Sequence, residues 1–252
     1  MIQFDIDQWQ AWAPGLASVA DWAIWAREPY RVQPGDEMPD VTFLPTMQRR
    51  RLSRLARMAF TVATPLAEGK PPLPLVYASR HGETPRTYAI LEDLAHEEPM
   101  SPTQFSLSVH NAIIGLWSIQ RRDTSEMTAL AAEGDGLEHA VLEAGLLLAE
   151  GAPGVLVVIA EDQPPAAYEP WVSDVPFPYA LGLLLTPGDR WRLSLEAGDP
   201  SRHEPGQWPH ALELIRTLVT GQPRRAHQWK GRRWNWQQAH CPPAAAHPGP
   251  GA

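Results

Sequence analysis

The sequence predicts an α/β domain built on a mixed sheet. Apolar residues recur at helical spacing in several segments, short apolar runs stand between those segments, and a Pro-Gly-Asp signal at 187–189 separates two further strand-like runs. Strands alternating with helices give parallel pairing, and a hairpin at the end adds an antiparallel pair, so the sheet is mixed and flanked by helices.

Residues 1–40 mix Trp9, Trp12, Trp22 and Trp25 with Pro14, Gly15, Pro29 and Pro39, which reads as short elements broken by turns, with Asp21 placed to cap one helical turn. From Met47 onward, Leu52, Leu55, Ala56, Ala59, Val62 and Ala63 predict a long helix with one buried face. Arg49, Arg50, Arg51, Arg54 and Arg57 crowd its start. After a proline-rich stretch, residues 75–78 read as a buried strand ending at Ser79-Arg80-His81-Gly82-Glu83, and residues 84–95 as a helix.

Phe105, Leu107 and Val109 alternate with Ser106 and Ser108, a period-two segment that gives way to a helix with Ala112, Ile113, Leu116 and Trp117 on one face. Ser108 can cap that helix, or Ser101, Pro102 and Gln104 can form a capping box for an earlier start. Residues 127–132 predict a second strand. Gly134-Asp135-Gly136 turns it into a helix burying Leu137, Ala140, Val141, Ala144, Leu147 and Leu148, which Gly151 ends.

Residues 155–160 are a continuous apolar run, the pattern of a strand covered on both faces. Residues 180–185 and 191–195 flank Pro187-Gly188-Asp189 and predict a hairpin, and residues 209–219 a last helix. Segment 224–238 is basic and carries Trp229, Trp234 and Trp236, so it reads as an arm packing tryptophans onto the body. The domain is expected over residues 1–221, with the arm and a Pro/Ala/Gly-rich tail over 222–252.

A chain of 252 residues with 44% hydrophobic content can build a sizeable core. Its net charge of -8 argues against nucleic acid as a partner, because neutralising phosphates needs a basic surface. No window reaches the roughly 18–20 apolar residues of a membrane span, and the N-terminus lacks the regions of a signal peptide, so a soluble cytoplasmic protein is expected. The single cysteine, Cys241, excludes disulfide frameworks and all-cysteine zinc sites, and beside the tail it has little to hold it against a base. Neither a metal nor a cofactor is expected.

A strand, a tight turn and a helix can present a nucleophile at a helix N-terminus, where N–H groups and the dipole lower a thiol pKa or stabilise an oxyanion. Here that turn reads Ala131-Ala132-Glu133-Gly134-Asp135, with neither thiol nor hydroxyl. Glu133 and Asp135 suit capping and dipole complementarity as well as acid/base work. The other candidates are His81 with Glu83, too few to close a metal site, and His110 with Ser106 and Ser108, whose sequence spacing does not make a triad. The arginines after Met47 are either a solvated face or a landing site for an anionic partner, since guanidinium groups pair with carboxylates and phosphates.

Four stretches carry a resemblance: Trp12-Ala-Pro-Gly15, Met47-Gln-Arg-Arg-Arg-Leu-Ser-Arg-Leu-Ala-Arg-Met58, Ser79-Arg-His-Gly-Glu83, and Ser101-Pro-Thr-Gln-Phe-Ser-Leu-Ser-Val-His-Asn-Ala-Ile-Ile-Gly-Leu-Trp-Ser-Ile119. In these the chain resembles the chain-length-factor-like proteins of the condensing-enzyme, or thiolase-like, superfamily, which accompany ketosynthases in aryl polyene type gene clusters. The likeness spans residues 14–162 and is weak from Gln163 on. It implies a thiolase-like half. The Asn111-x-x-x-Gly115 helix resembles the helix that precedes the nucleophile strand of ketosynthases, and the position such an enzyme fills with cysteine falls at Ala132, Glu133 or Gly134. A full ketosynthase also has a C-terminal half with two histidines and a lysine, for which this chain is expected to have no room.

The resemblance therefore implies a subunit with no catalytic residue of its own, paired as a heterodimer with a ketosynthase in type II fatty acid or aryl polyene synthesis. Such a subunit would shape the tunnel for an acyl chain delivered by acyl carrier protein. Phe105, Leu107, Val109, His110, Asn111 and Gly115 are its expected tunnel and interface residues, the first three with ordinary core as their plain alternative. Arg49, Arg50, Arg51 and Arg54 are its expected partner-binding residues. Two further readings stay open: a stand-alone thioester hydrolase or acyltransferase using Ser108 and His110, and an acyl-carrier-protein-binding module resting on the arginines.

Overall fold

The computed structural model describes residues 1–33, 35–199 and 208–239. Cys241 and the tail lie outside the described residues. Three short strands form the parallel part of one sheet, in the order β3 (Met127–Leu130), β2 (Leu75–Ala78), β4 (Val155–Glu161). Parallel neighbours require crossovers. The link from β2 to β3 carries α4 (Thr84–Ala95), α5 (Pro102–Ser106) and α6 (Ala112–Arg121), and α7 (Gly136–Ala149) links β3 to β4.

The long strand β5 (Tyr179–Ala197) is antiparallel to β4 and to the N-terminal strand β1 (Ile2–Trp12), which pairs along it from Trp12↔Ala180 to Ile2↔Leu193. Beyond β4, β5 pairs with β7 (Arg232–Gln238), and β7 with β6 (Arg224–Trp229). The sheet is thus mixed, with seven strands.

Alternate residues of each strand face opposite sides. Val157, Ile159, Leu181 and Leu183 pack with α7, α1 (Val19–Arg27) and α8 (His210–Thr220), while Tyr77, Val158 and Leu184 pack under α3 (Arg54–Ala67) and α6. All seven residues of β4 are buried, as its unbroken apolar run requires. α3 crosses β5 so closely that a Cβ on Gly182 would lie 2.8 Å from the Val62 carbonyl oxygen.

Four expectations are corrected. The helix expected from Met47 is two: α2 (Thr46–Arg49), then a turn, then α3, because Ser53 accepts the Ala56 N–H at 3.0 Å and starts a new helix. Phe105–Val109 is no extended segment. Ser101 caps α5 with Pro102 in its first turn, Ser108 donates to the Phe105 carbonyl at 2.9 Å, and Asn111 occupies the N-cap of α6.

Pro187-Gly188-Asp189 does not reverse the chain. Phe4 pairs with Trp191 and Asp5 with Thr186, so residues 187–190 bulge out while β5 continues on its line. Asp5 pins that bulge by accepting from the Arg190 N–H at 2.9 Å and its Nε–H at 2.6 Å. Asp21 does stabilise a helix start, but from within: Ser18 is the N-cap of α1, and the Asp21 carboxylate returns to the Ser18 N–H at 2.9 Å as a capping box. Segment 224–238 is the β6–β7 hairpin of the same sheet, with Trp234 and Trp236 buried.

Candidate functional site

The carboxyl ends of β2, β3 and β4 lie on one rim, where open α/β sheets carry their sites. The turn between β3 and α7 is the first feature there. Ala132, Glu133 and Gly134 stand at the approach to the helix N-terminus, and the β6–β7 turn meets Glu133 and Gly134. Glu133 accepts from Trp229 Nε1 at 2.8 Å and from Lys230 Nζ at 2.6 Å. Those donors, Lys230 first, hold its carboxyl at about 2. A Cβ on Gly134 would run into the Trp229 ring.

Asp135 is fully buried at the N-cap of α7 yet makes no side-chain cap, contrary to the capping role that suits its position. It accepts instead from Arg232 at 2.6 and 3.0 Å and from Trp234 Nε1 at 2.9 Å. Burial raises its carboxyl, but these donors outweigh burial and leave it below the usual value.

The second feature is the loop after β2. Buried Glu161, at the end of β4, accepts from Ser79 Oγ at 3.1 Å and from the N–H groups of Arg80 (2.5 Å) and His81 (3.3 Å). Burial dominates and lifts its carboxyl to about 7. His81 Nε2 lies 3.0 Å from Asp174, which also takes Arg80 Nη1 at 2.8 Å. Glu83 accepts from Ser53 Oγ at 2.6 Å and pairs with Arg86 at 3.2 Å.

A cavity of about 300 Å³ brings His81 and Glu83 together with Ser108 and His110. Ser108 and His110 are not aimed at each other: the hydroxyl serves the Phe105 carbonyl and His110 Nε2 meets the Ser79 carbonyl at 2.8 Å. Phe105 is 54% exposed and Val109 41% exposed, Leu107 is half-buried, and Asn111 and Gly115 are exposed on α6, so Phe105 and Val109 are surface residues and not core.

Of the arginines, Arg50 and Arg51 are exposed and Arg49 half-buried. Arg54 departs from that group. Its Nη2 and Nε hold Asp162 at 2.7 and 2.9 Å and its Nη1 donates to the Gly35 carbonyl at 3.0 Å, tying α3 to the end of β4.

The chain matches the family described as beta-ketoacyl synthase, N-terminal domain, over residues 22–237. The chain belongs to this family. A chain from the ketosynthase (ApeO) in complex with its chain length factor (ApeC) from Xenorhabdus doucetiae superposes with a TM-score of 0.85 at 30% identity, covering 94% of this chain and 100% of that one. The ishigamide ketosynthase/chain length factor (TM-score 0.59, 16% identity, 79% of this chain and 68% of that one) shares the fold. So does a beta-ketoacyl synthase from Burkholderia phymatum STM815 (0.55, 12%, 88% and 71%). No curated protein matches the chain. The fold is thiolase-like, as the resemblance implied.

In this ketoacyl-synthase-like domain one polar cluster escaped the sequence reading. Glu138 of α7, His210 of α8 and His227 of β6 meet in the interior. Glu138 accepts from His210 Nδ1 at 2.8 Å, from His227 Nδ1 at 2.5 Å and from Trp236 Nε1 at 3.1 Å. With 72 and 89 residues separating the glutamate from the histidines, no motif spacing could have signalled them.

The three groups have metal-ligand chemistry, but their geometry suits a proton network better. The two imidazoles are stacked, centroids 4.3 Å apart and planes 25° from parallel. Their in-plane lone pairs therefore cannot converge on one ion at the ~2.0–2.1 Å of a zinc–nitrogen bond. The two oxygens of one carboxylate bridge them instead. Neighbouring carboxylates, Glu138 first, raise His210 above its usual value despite burial, whereas burial holds His227 below its own.

Proposed function

We propose that this chain is a non-catalytic, chain-length-factor-like subunit that pairs with a ketosynthase and helps to shape the tunnel for its acyl chain. The observation that carries the reading is the β3–α7 turn. Where the resemblance puts a ketosynthase's cysteine, this chain has Ala132, Glu133 and Gly134, with Trp229 packed against Gly134 and Lys230 paired with the exposed Glu133. Without a nucleophile, condensation needs a companion that has one. The likeness to a complex of a ketosynthase with its chain length factor supports that companion.

A partner face is also present. Among the described residues β3 pairs only with β2, α6 packs beside β3 and exposes Ile119, and the preceding link exposes Leu94, Phe105 and Val109. An edge strand next to exposed apolar side chains suits an obligate interface. Phe105 and Val109 would then form part of the tunnel wall at that interface, with Leu107, His110, Asn111 and Gly115 around them. Exposed Arg50 and Arg51, with Arg49, would meet an acidic acyl carrier protein. The setting would be cytoplasmic type II fatty acid or aryl polyene synthesis.

Co-expression with the neighbouring ketosynthase, followed by co-purification and product sizing, tests the reading. A stable heterodimer is expected, and Phe105→Ala should weaken it about tenfold or change product length. Failure of the two chains to co-purify, or carbon–carbon bond formation by this chain alone, would overturn the proposal.

A further inference from the structure

The cavity of about 300 Å³ between α4, the α5–α6 turn and Tyr168 has an unusual polarity. Ser108 and His110, which line it, flank the exposed Val109, so it lies beside the apolar face proposed for the partner. His81 Nε2 faces the Asp174 carboxylate at 3.0 Å and His110 Nε2 faces the Ser79 carbonyl at 2.8 Å. Both oxygens only accept, so in the neutral rings the hydrogen sits on Nε2 and a lone pair on Nδ1. Neither Nδ1 has a partner among the described residues, and neither is sealed from solvent.

Apart from the Tyr168 phenol, the hydroxyls that line the cavity are committed in the same sense. Thr84 donates to the His81 carbonyl, Ser108 donates to the Phe105 carbonyl at 2.9 Å, and Thr87 points at the carbonyls of Glu83 and Ser108 at 3.3 and 3.4 Å. What each offers the cavity is an oxygen lone pair. Two imidazole nitrogens and three such oxygens, beside a Glu83 carboxylate paired with Arg86 and an Asp174 carboxylate paired with Arg80, disfavour any group that must itself accept. They fit a group that accepts nothing and donates several bonds at once, which among side chains means the ammonium of lysine or the guanidinium of arginine.

We infer that this cavity is a socket for a lysine or arginine side chain of the ketosynthase partner. The inference rests on the pairing proposed above and adds the chemistry of one anchor. Two measurements keep the claims apart. First, n-butylguanidinium and n-butylammonium are titrated into the full chain alone while the imidazole nitrogens are followed by NMR. Saturable shifts of the His81 and His110 Nδ1 resonances are expected, and the heat of cation binding measured by titration calorimetry should be lost in the double variant His81→Gln/His110→Gln, which keeps an Nε2-like donor and removes the Nδ1 acceptor.

Second, the dissociation constant of the heterodimer is measured for the same variant, with an expected weakening of about tenfold at unchanged thermal stability. If the heterodimer forms with equal affinity in wild type and variant, the socket is refuted while the pairing stands. If no heterodimer forms, the socket falls with the pairing. If zinc or nickel ions bind the two imidazoles and displace the organic cations, the cavity is a metal site and the inference is overturned.

Discussion

Replacing Glu138 by glutamine should change how stability depends on pH, in a way that the buried histidines fix in advance. In the wild-type fold His210 is raised above its ordinary value chiefly because Glu138 offsets its burial, with Asp135 and Glu213 adding to the effect. His227 is lowered by burial, with His210 and Arg225 adding to that and Glu138 opposing it. A raised His stabilises fully below its unfolded value of about 6.5, and that stabilisation is lost as pH rises through the folded value. A lowered His acts oppositely, removing stability as pH falls below about 6.5.

In Glu138→Gln both histidines lose the carboxylate bonded to them, and burial, the largest influence on each, outweighs the more distant Asp135 and Glu213, so neither is held protonated in the fold. The wild type can keep one proton that the variant cannot. Its advantage should therefore grow by about 1.4 kcal/mol per pH unit as pH falls from the folded value of His210 towards about 5. Below about 4.5 the gap should stop growing, because Glu138 is itself held low in the fold and the unfolded wild type takes up that proton, which matches the extra proton that the variant's histidines take up on unfolding.

At neutral pH the lost network should cost about 3–5 kcal/mol, or roughly 6–20 °C in melting temperature for a chain of this size. Urea unfolding of both proteins at pH 7.5, 6.5 and 5.5, read by tryptophan fluorescence, measures the difference, and shared titrations such as that of Glu161 cancel. A gap that stays constant across these pH values would show that the three side chains do not share a proton, and the reasoning would fail.

Two further outcomes follow from the packing. A thiol introduced by Ala132→Cys stands in a half-buried position two residues before Gly134, against which the Trp229 ring packs, so adding Trp229→Ala should accelerate its labelling by iodoacetamide at least tenfold; equal rates would mean that the ring does not shield position 132. Gly182→Ala should destabilise by about 1–3 kcal/mol in urea unfolding, because its Cβ would crowd the Val62 carbonyl and Leu66 beneath α3; an unchanged midpoint would show that α3 can shift away.

The elements legible in the sequence were those with a strong local period. β2, α4, α7, β4 and α8 lie within a residue or two of the segments that their apolar patterns mark, because each buries a face that its own spacing defines. The misreadings share a cause. Phe105-x-Leu107-x-Val109 alternates as a strand would, but Ser101 and Pro102 start a helix there, and the segment lies on the surface where no sheet neighbour enforces the period. The turn signal at residues 187–189 is real local chemistry, but β1 pairs with β5 on both sides of it and converts a reversal into a bulge. At the candidate site, the absence of any thiol or hydroxyl from residues 131–135 could be read directly. What packs against that turn could not, because Trp229, Lys230 and Arg232 lie nearly 100 residues away, and only the pairing of β7 with β5 brings them there.

That long-range closure decides whether the turn is shut or merely gated. α7 buries Leu137, Ala140, Val141 and Ala144 on its sheet side, and Glu138 on the side where α8 and the hairpin meet it, so it must be covered on both. The hairpin supplies that cover with Trp234 and Trp236, each fully buried and each donating to a carboxylate of α7 or its cap. Lifting it would expose both indoles. At about 3–5 kcal/mol for each large aromatic removed from a core, opening costs roughly 6–10 kcal/mol. With each 1.4 kcal/mol worth a factor of ten, the open form is populated below about one molecule in ten thousand. The helix N-terminus that would activate a nucleophile in an enzyme here anchors the hairpin instead, through the bonds of Arg232 and Trp234 to Asp135.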